Sequence, residues 1–289
     1  MKTSIAGLSF PYTSSHDERF ARMRELGYTA VDESLEETER PYYRSYEAME
    51  EHCKSVRAAA DRHGIEVFQI HASYGVWYDK GNREDNINDI VRIMEMGLLG
   101  SSILGAKNYV IHPIHRIGFW NNGYDLDVDE KTSYTTEVMK RLIPTAKKYG
   151  INICLENLCD YQIPRVLEVI NAVDSPYAGI CLDTGHASVS RVDMGEIVRQ
   201  CGNKLYCLHV HDTNGYSDLH LPAFMGVIDW AHFTDALAEI GYCGTMNLES
   251  EINRGCDMPD QFRIALEEYS AKTAEYLAEE VEKKRAQLK

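Results

Sequence analysis

A chain of 289 residues is long enough for one large hydrophobic core or two small ones. With 44% hydrophobic and 26% charged residues it has the composition of an ordinary globular protein, and no apolar run reaches the ~18 residues that a membrane-spanning helix needs. The formal net charge of −15 weighs against polyanionic partners such as nucleic acid, since no local basic groove is written in the sequence to override it.

The chain enters a strand-like stretch at residues 4–8 without the pattern of a secretory signal. Helix 17–26, strand 30–33, helix 46–63, strand 66–71, helix 83–104 and strand 108–112 follow. The second half repeats the alternation: helix 129–149, strand 152–156, helix 164–172, strand 179–183, helix 194–201, strand 205–211, helix 229–240, strand 245–249 and helix 259–281. Gly27, Gly64, Gly105, Gly150, Gly202 and Gly241 stand where helices end, as expected of the residue that most easily turns the backbone left-handed. Eight strand–helix units predict an α/β fold, a single (β/α)8 barrel of one domain. The open, doubly wound alternative is disfavoured because "GLSFPYTSS", after the first strand, lacks a G-x-G-x-x-G turn. The last helix carries Phe262, Leu266, Tyr269, Ala274 and Leu277 on one face, which predicts that it closes the barrel. Lys283-Lys284-Arg285 beyond it reads as a solvated face.

The eight cysteines include no Cys-x-x-Cys pair. Cys154, Cys181, Cys207 and Cys243 lie in or beside apolar runs, where a thiol acts as a small hydrophobe. A reduced, cytoplasmic protein is expected.

In a parallel barrel the C-terminal ends of the strands gather around one mouth, where such enzymes work. Here those ends are rich in groups that bind metals. "FQIHAS" ends in His71 and "VIHP" in His112; "CLEN" supplies Glu156, and "CLDTGH" Asp183 and His186. "LHVHD" supplies His209, His211 and Asp212, the loop after it Asp218 and His220, and "NLES" Glu249. Any one of them alone is more often a hydrogen-bonded rim residue or a helix cap. Together they would bury several carboxylates with few Lys or Arg nearby, which is costly unless a cation sits among them. Asp183 therefore reads as a metal ligand, and His186 as a second ligand or a substrate contact. Mixed carboxylate and imidazole ligation suits Mn²⁺, Co²⁺, Mg²⁺, Zn²⁺ or Fe²⁺. Strand alternation sends His209 and His211 to one side and Asp212 to the other.

From residue 4 to about 251 the chain resembles the xylose isomerase-like TIM-barrel superfamily, which includes ketose 3-epimerases, inosose dehydratases and endonuclease IV. "CLENL", "CLDTGHA", "LHVHDTNGYSDLHLPAFMGVIDW" and "NLESE" carry the resemblance. It implies a metal site of Glu156, Asp183, His209 and Glu249, with Mn²⁺ the expected ion and Co²⁺, Mg²⁺ or Zn²⁺ the alternatives. In the epimerase branch Glu156 and Glu249 would also be the acid/base pair, with His186 holding substrate oxygens and His71, His112 and His211 lining the pocket. The endonuclease IV arrangement can also be matched in full, by adding His71, His112, His186, Asp218 and His220 to the four ligands. Ketose 3-epimerases carry an Arg about six residues after the metal His, and here that position is Gly215. Other substrate contacts are therefore expected from loops after strands: Trp120 and Arg254 first, with Tyr12, Trp77, Tyr78, His115 and Arg116. The functions implied are a metal-dependent sugar, sugar phosphate or keto-polyol isomerase or epimerase, a phosphodiesterase with a multinuclear site, or a dehydratase or lyase on an oxidised sugar. The partner implied is a small carbohydrate, with assembly into a homo-oligomer as in many relatives.

Overall fold

The computed structural model describes residues 1–11, 13–35, 40–73, 76–77, 82–116, 126–250 and 258–288. Strands and helices alternate throughout: β1 (Thr3–Ala6), α1 (His16–Glu25), β2 (Ala30–Ser34), α2 (Tyr46–His63), β3 (Glu66–His71), α3 (Arg83–Leu104), β4 (Asn108–Ile111) and α4 (Val128–Tyr149). Then come β5 (Asn152–Glu156), α5 (Ile163–Val173), β6 (Ala178–Asp183), α6 (Met194–Cys201), β7 (Leu205–His209), α7 (Trp230–Glu239), β8 (Met246–Leu248) and α8 (Asp260–Gln287). Side chains of Ser15, Ser45, Asn82, Asp127, Asp193 and Asp229 cap the N-termini of six helices. Gly64, Gly105 and Gly150 end α2, α3 and α4 in the left-handed region, as the sequence predicted.

All ladders of the sheet are parallel, in the order β8-β1-β2-β3-β4-β5-β6-β7. A bridge between Val210 and Leu248 brings its two edges together, with Val210 N–H donating to the Asn247 carbonyl at 2.9 Å. This is the (β/α)8 barrel. The alternation of each strand divides two kinds of interior. Outward residues such as Ile5, Val31, Ile111, Leu155, Leu182 and Leu208 join the helices in one large core. A separate small cluster of Val110, Cys154, Cys181 and Cys207 packs with Phe68 and Tyr206. Cys154, Cys181 and Cys207 stand two residues before Glu156, Asp183 and His209, so they share the inward face.

Several expectations need correction. Strand 205–211 stops as a ladder at His209, because Val210 turns to close the barrel on β8. α8 runs to Gln287 and packs on α7 and β1, but Phe262 is 56% exposed and takes no part in that closure. Buried Ala274 and Leu277 do, and Tyr269 O–H donates to the Ala223 carbonyl. Lys284 is no solvated charge: its ammonium pairs with Asp235 at 2.6 Å and donates to the Ala231 carbonyl on α7. Cys243 is exposed, while Cys154, Cys181 and Cys207 are buried. Short strands Val76–Trp77 and His115–Arg116 form a parallel pair of their own, and Thr184–Ser188 forms a one-turn helix, none of which the sequence announced. No helix among the described residues is long and apolar enough to cross a membrane.

Candidate metal and catalytic site

Three of the four expected ligands are the last residues of their strands: Glu156 of β5, Asp183 of β6 and His209 of β7, with Glu249 one position past β8. The ladder register pairs Asp183 with His209, which sets a carboxylate and an imidazole at one level. His209 Nδ1 lies 3.0 Å from Glu156 Oε2 and 3.4 Å from Glu249 Oε1. One ligand atom from each of the four residues falls within 4.8 Å of the others. Glu156, Asp183 and His209 are buried, and the Glu249 side chain is 16% exposed at the mouth.

The donor set fits a divalent ion. Glu156 Oε2, His209 Nδ1 and Glu249 Oε2 are buried polar atoms that make no hydrogen bond among the described residues. No Lys or Arg pairs with Glu156, Asp183 or Glu249 among the described residues; their charged neighbours are histidines. Hard carboxylates with borderline imidazole are the ligands of the ions expected above.

Two further groupings adjoin this one. His71 and His112 bring Nε2 to 3.7 Å and 3.3 Å from Glu156 Oε2. On the other side, His186 Nδ1–H donates to the Asn157 carbonyl at 2.9 Å, and His220 Nδ1–H to the Glu249 carbonyl at 2.9 Å. A ring nitrogen facing a carbonyl must carry the proton, so the opposite Nε2 of the neutral ring is a lone pair. Both lone pairs face Asp218, at 3.4 Å from His186 and 3.2 Å from His220. Such a pairing takes a proton or a cation. His211 stacks on His220 at 4.0 Å between centroids and sets Nε2 against Asp183 Oδ2 at 2.9 Å.

Asp183 answers to both clusters. Its Oδ1 accepts the His186 backbone N–H at 2.6 Å and so caps the one-turn helix, while Oδ2 meets His211. Gly185 in that helix is required: a Cβ there would fall 1.8 Å from His211 Cε1.

The electrostatics separate the two glutamates. Burial pushes Glu156 up, but attraction to His209 and His112 holds it well below the usual carboxylate range. Burial raises Glu249 to about 8, His209 opposing the rise and the Glu156 charge adding to it. Burial lowers His112 to about 4 against the pull of Glu156. His220 resists burial and rises to about 9, chiefly through its hydrogen bond to Asp218.

The loop that carries Asp218 and His220 is folded by Asp212. Its Oδ1 accepts the N–H groups of Thr213, Val227 and Ile228 at 2.9, 2.9 and 3.2 Å. Its Oδ2 accepts Gly226 N–H at 3.0 Å and Trp230 Nε1–H at 3.2 Å. Asp212 is thus a loop anchor, pointing away from the ligands as alternation required.

Every described member of the expected site is therefore found at the mouth: Glu156, Asp183, His209 and Glu249 at its centre, His71, His112, His186, His211, Asp218 and His220 around it. Trp120 and Arg254 lie outside the described residues, as do Tyr12, Tyr78 and the side chains of Trp77 and Arg116. His115 is buried, its Nδ1 3.1 Å from the Pro113 carbonyl oxygen. The sequence reading missed Asp32 and Asn157. Asp32 sets Oδ2 2.9 Å from His209 Nε2, and Asn157 brackets the Asp183 backbone, its Oδ1 accepting the N–H and its Nδ2 donating to the carbonyl. A charge at an inward position of strand "AVDES" was the available signal for Asp32.

A sequence profile of the xylose isomerase-like TIM-barrel family matches residues 20–280. An uncharacterised protein of Methanocaldococcus jannaschii is 28% identical over 199 residues, 66% of each chain. The D-psicose 3-epimerase of Ruminiclostridium cellulolyticum is 26% identical over 164 residues, 52% of this chain and 54% of that one. The chain thus spans about half to two-thirds of the length of these curated relatives. Among solved structures, a D-tagatose 3-epimerase-like protein superposes with a TM-score of 0.73 at 24% identity, over 100% of both chains. The IolI protein with a bound zinc atom gives 0.70 at 20% identity, over 97% of this chain and 98% of that one.

Proposed function

The chain belongs to the xylose isomerase-like TIM-barrel family, and on that premise we propose that it is a divalent-metal-dependent sugar isomerase or epimerase, in which Glu156 and Glu249 move the proton. The observation that carries this reading is the pair of glutamates set 3.0 and 3.4 Å from one histidine, with Asp183 completing a compact group of four. Removing a proton beside a carbonyl needs a base, and returning it to the other face or to the neighbouring carbon needs an acid. Glu156, kept as a carboxylate, serves as the base. Glu249 serves as the acid, and the roles reverse with the direction of the reaction. Glu156, Asp183, His209 and Glu249 would hold the ion, which would supply positive charge for the oxygens of the enediolate. His186, whose Nε2 faces the mouth beside Asp218, orients substrate hydroxyls. Sugar epimerases among its relatives support a small carbohydrate as substrate.

The test is turnover of a panel of 2-ketoses and their phosphates by the Mn²⁺-loaded protein. Glu156→Gln and Glu249→Gln should each abolish it; full activity in both variants removes the acid/base assignment. A second reading, a phosphodiesterase with several metal ions, draws on one observation. His71–His112–Glu156 and His186–His211–Asp218–His220 are each compact enough to hold an ion beside the central four. Cleavage of abasic-site DNA with more than one bound ion per chain would favour it.

A further inference from the structure

Below the mouth, Asp32 makes three contacts through a single oxygen. Its Oδ2 is 2.9 Å from His209 Nε2, accepts Gln69 Nε2–H at 2.9 Å and accepts Asn247 Nδ2–H at 3.2 Å. The four residues come from β2, β3, β7 and β8, and all are buried. The backbone is built for this: the β2–β3 ladder shifts register between Val31 and Asp32, so that Asp32 stands opposite Gln69. A carboxylate placed deep in a barrel is costly unless its hydrogen bonds are satisfied, and no Lys or Arg pairs with Asp32 among the described residues.

We propose that Asp32 is the positioning residue of the metal site: it accepts the hydrogen bond of His209 Nε2–H, fixes the ring, and turns the Nδ1 lone pair toward Glu156 and Glu249. This rests on the metal-dependent reading above. A carboxylate behind a ligating imidazole sets its tautomer, holds its plane and makes it a stronger donor. Gln69 and Asn247 keep the carboxylate in place by donating to the oxygen that His209 uses. Among the described residues neither Asp32 nor its two amides hydrogen-bonds through a side chain to Glu156, Asp183 or Glu249, so the effect passes through His209.

The experiment uses Asp32→Asn, which keeps the shape and one acceptor oxygen but removes the charge. Metal-free wild type and variant are titrated with Co²⁺ alone, read by calorimetry and by the visible d–d spectrum. The variant should bind Co²⁺ about 10- to 100-fold more weakly, with an altered spectrum, at an unchanged urea midpoint of the metal-free form. Equal affinity within about twofold and an identical spectrum overturn the proposal while leaving the metal reading intact. Failure of the wild type to bind Co²⁺ overturns both. Should the variant not fold, the wild type decides: in the Zn²⁺-loaded, ¹⁵N-histidine-labelled protein the His209 proton must reside on Nε2, and a proton on Nδ1 refutes the assignment.

Discussion

Asp212→Asn tests whether one buried carboxylate organises the loop that brings Asp218 and His220 to the mouth. Asp212 is fully buried and accepts five N–H groups, three at Oδ1 and two at Oδ2. An asparagine offers one acceptor oxygen. In its best orientation that oxygen keeps the bonds to Thr213, Val227 and Ile228 and sets an NH2 against the N–H groups of Gly226 and Trp230. Two charge-assisted bonds at about 1.5–3 kcal/mol each are then lost, or about 3 kcal/mol at the least. The loop has little to absorb that loss, since His220 and Phe224 hold φ of 47° and 69°, left-handed values unfavourable for side-chain-bearing residues. Nor can Gly226 be relieved, because a Cβ would lie 2.1 Å from the Thr213 carbonyl oxygen. Native-state hydrogen exchange is the assay. Protection of the Gly226, Val227 and Ile228 amides should fall about a hundredfold, with the α1–α4 amides unaffected. Protection unchanged within about threefold would falsify the view that Asp212 holds the loop.

Gly185→Ala should displace the His211 ring, since the new Cβ would sit 1.8 Å from Cε1, and break its contact with Asp183. Overpacking and the lost bond together predict about 3 kcal/mol of destabilisation in urea; a change below about 0.5 kcal/mol contradicts this. Divalent-ion affinity should rise with pH. Glu249 is raised to about 8, so the metal-free protein holds a proton at neutral pH that an incoming ion must displace. Calorimetry in buffers of different ionisation enthalpy should report proton release at pH 7 and less at pH 9.5; identical release at both would be inconsistent with it. For the metal-free fold, raised Glu249 contributes stability that is present below its unfolded value and lost as pH rises through about 8. Depressed Glu156 contributes in the opposite sense, present above the unfolded value and lost as the solution becomes acidic. Glu249→Gln should therefore weaken the alkaline loss seen in the wild type's unfolding midpoint.

Much of the barrel was legible because short apolar runs alternate with longer amphipathic stretches and six of the helices are followed by a glycine. The same regularity located Glu156, Asp183, His209 and Glu249, since the last residue of a parallel strand must face the mouth if its parity is right. Asp32 was hidden by the register shift in β2, which sets its partner without leaving a mark in the sequence. The one-turn helix after Asp183 was hidden too. It is capped by a side chain that the sequence reading had already spent as a ligand, and one carboxylate does both. Phe262 misled because helical periodicity says which residues share a face, not where along the helix that face meets the barrel.

The most direct measurement is solvent deuterium uptake at a carbon of the substrate. The Mn²⁺-loaded protein would be incubated in D2O with pooled ketoses, aldoses, keto-inositols and their phosphates, and followed by proton NMR. Proton transfer by Glu156 and Glu249 predicts metal-dependent loss of one carbon-bound proton signal, abolished by EDTA and by Glu249→Gln. Turnover of a substrate with no deuterium entering carbon, or exchange that persists in the Gln variants, would contradict it.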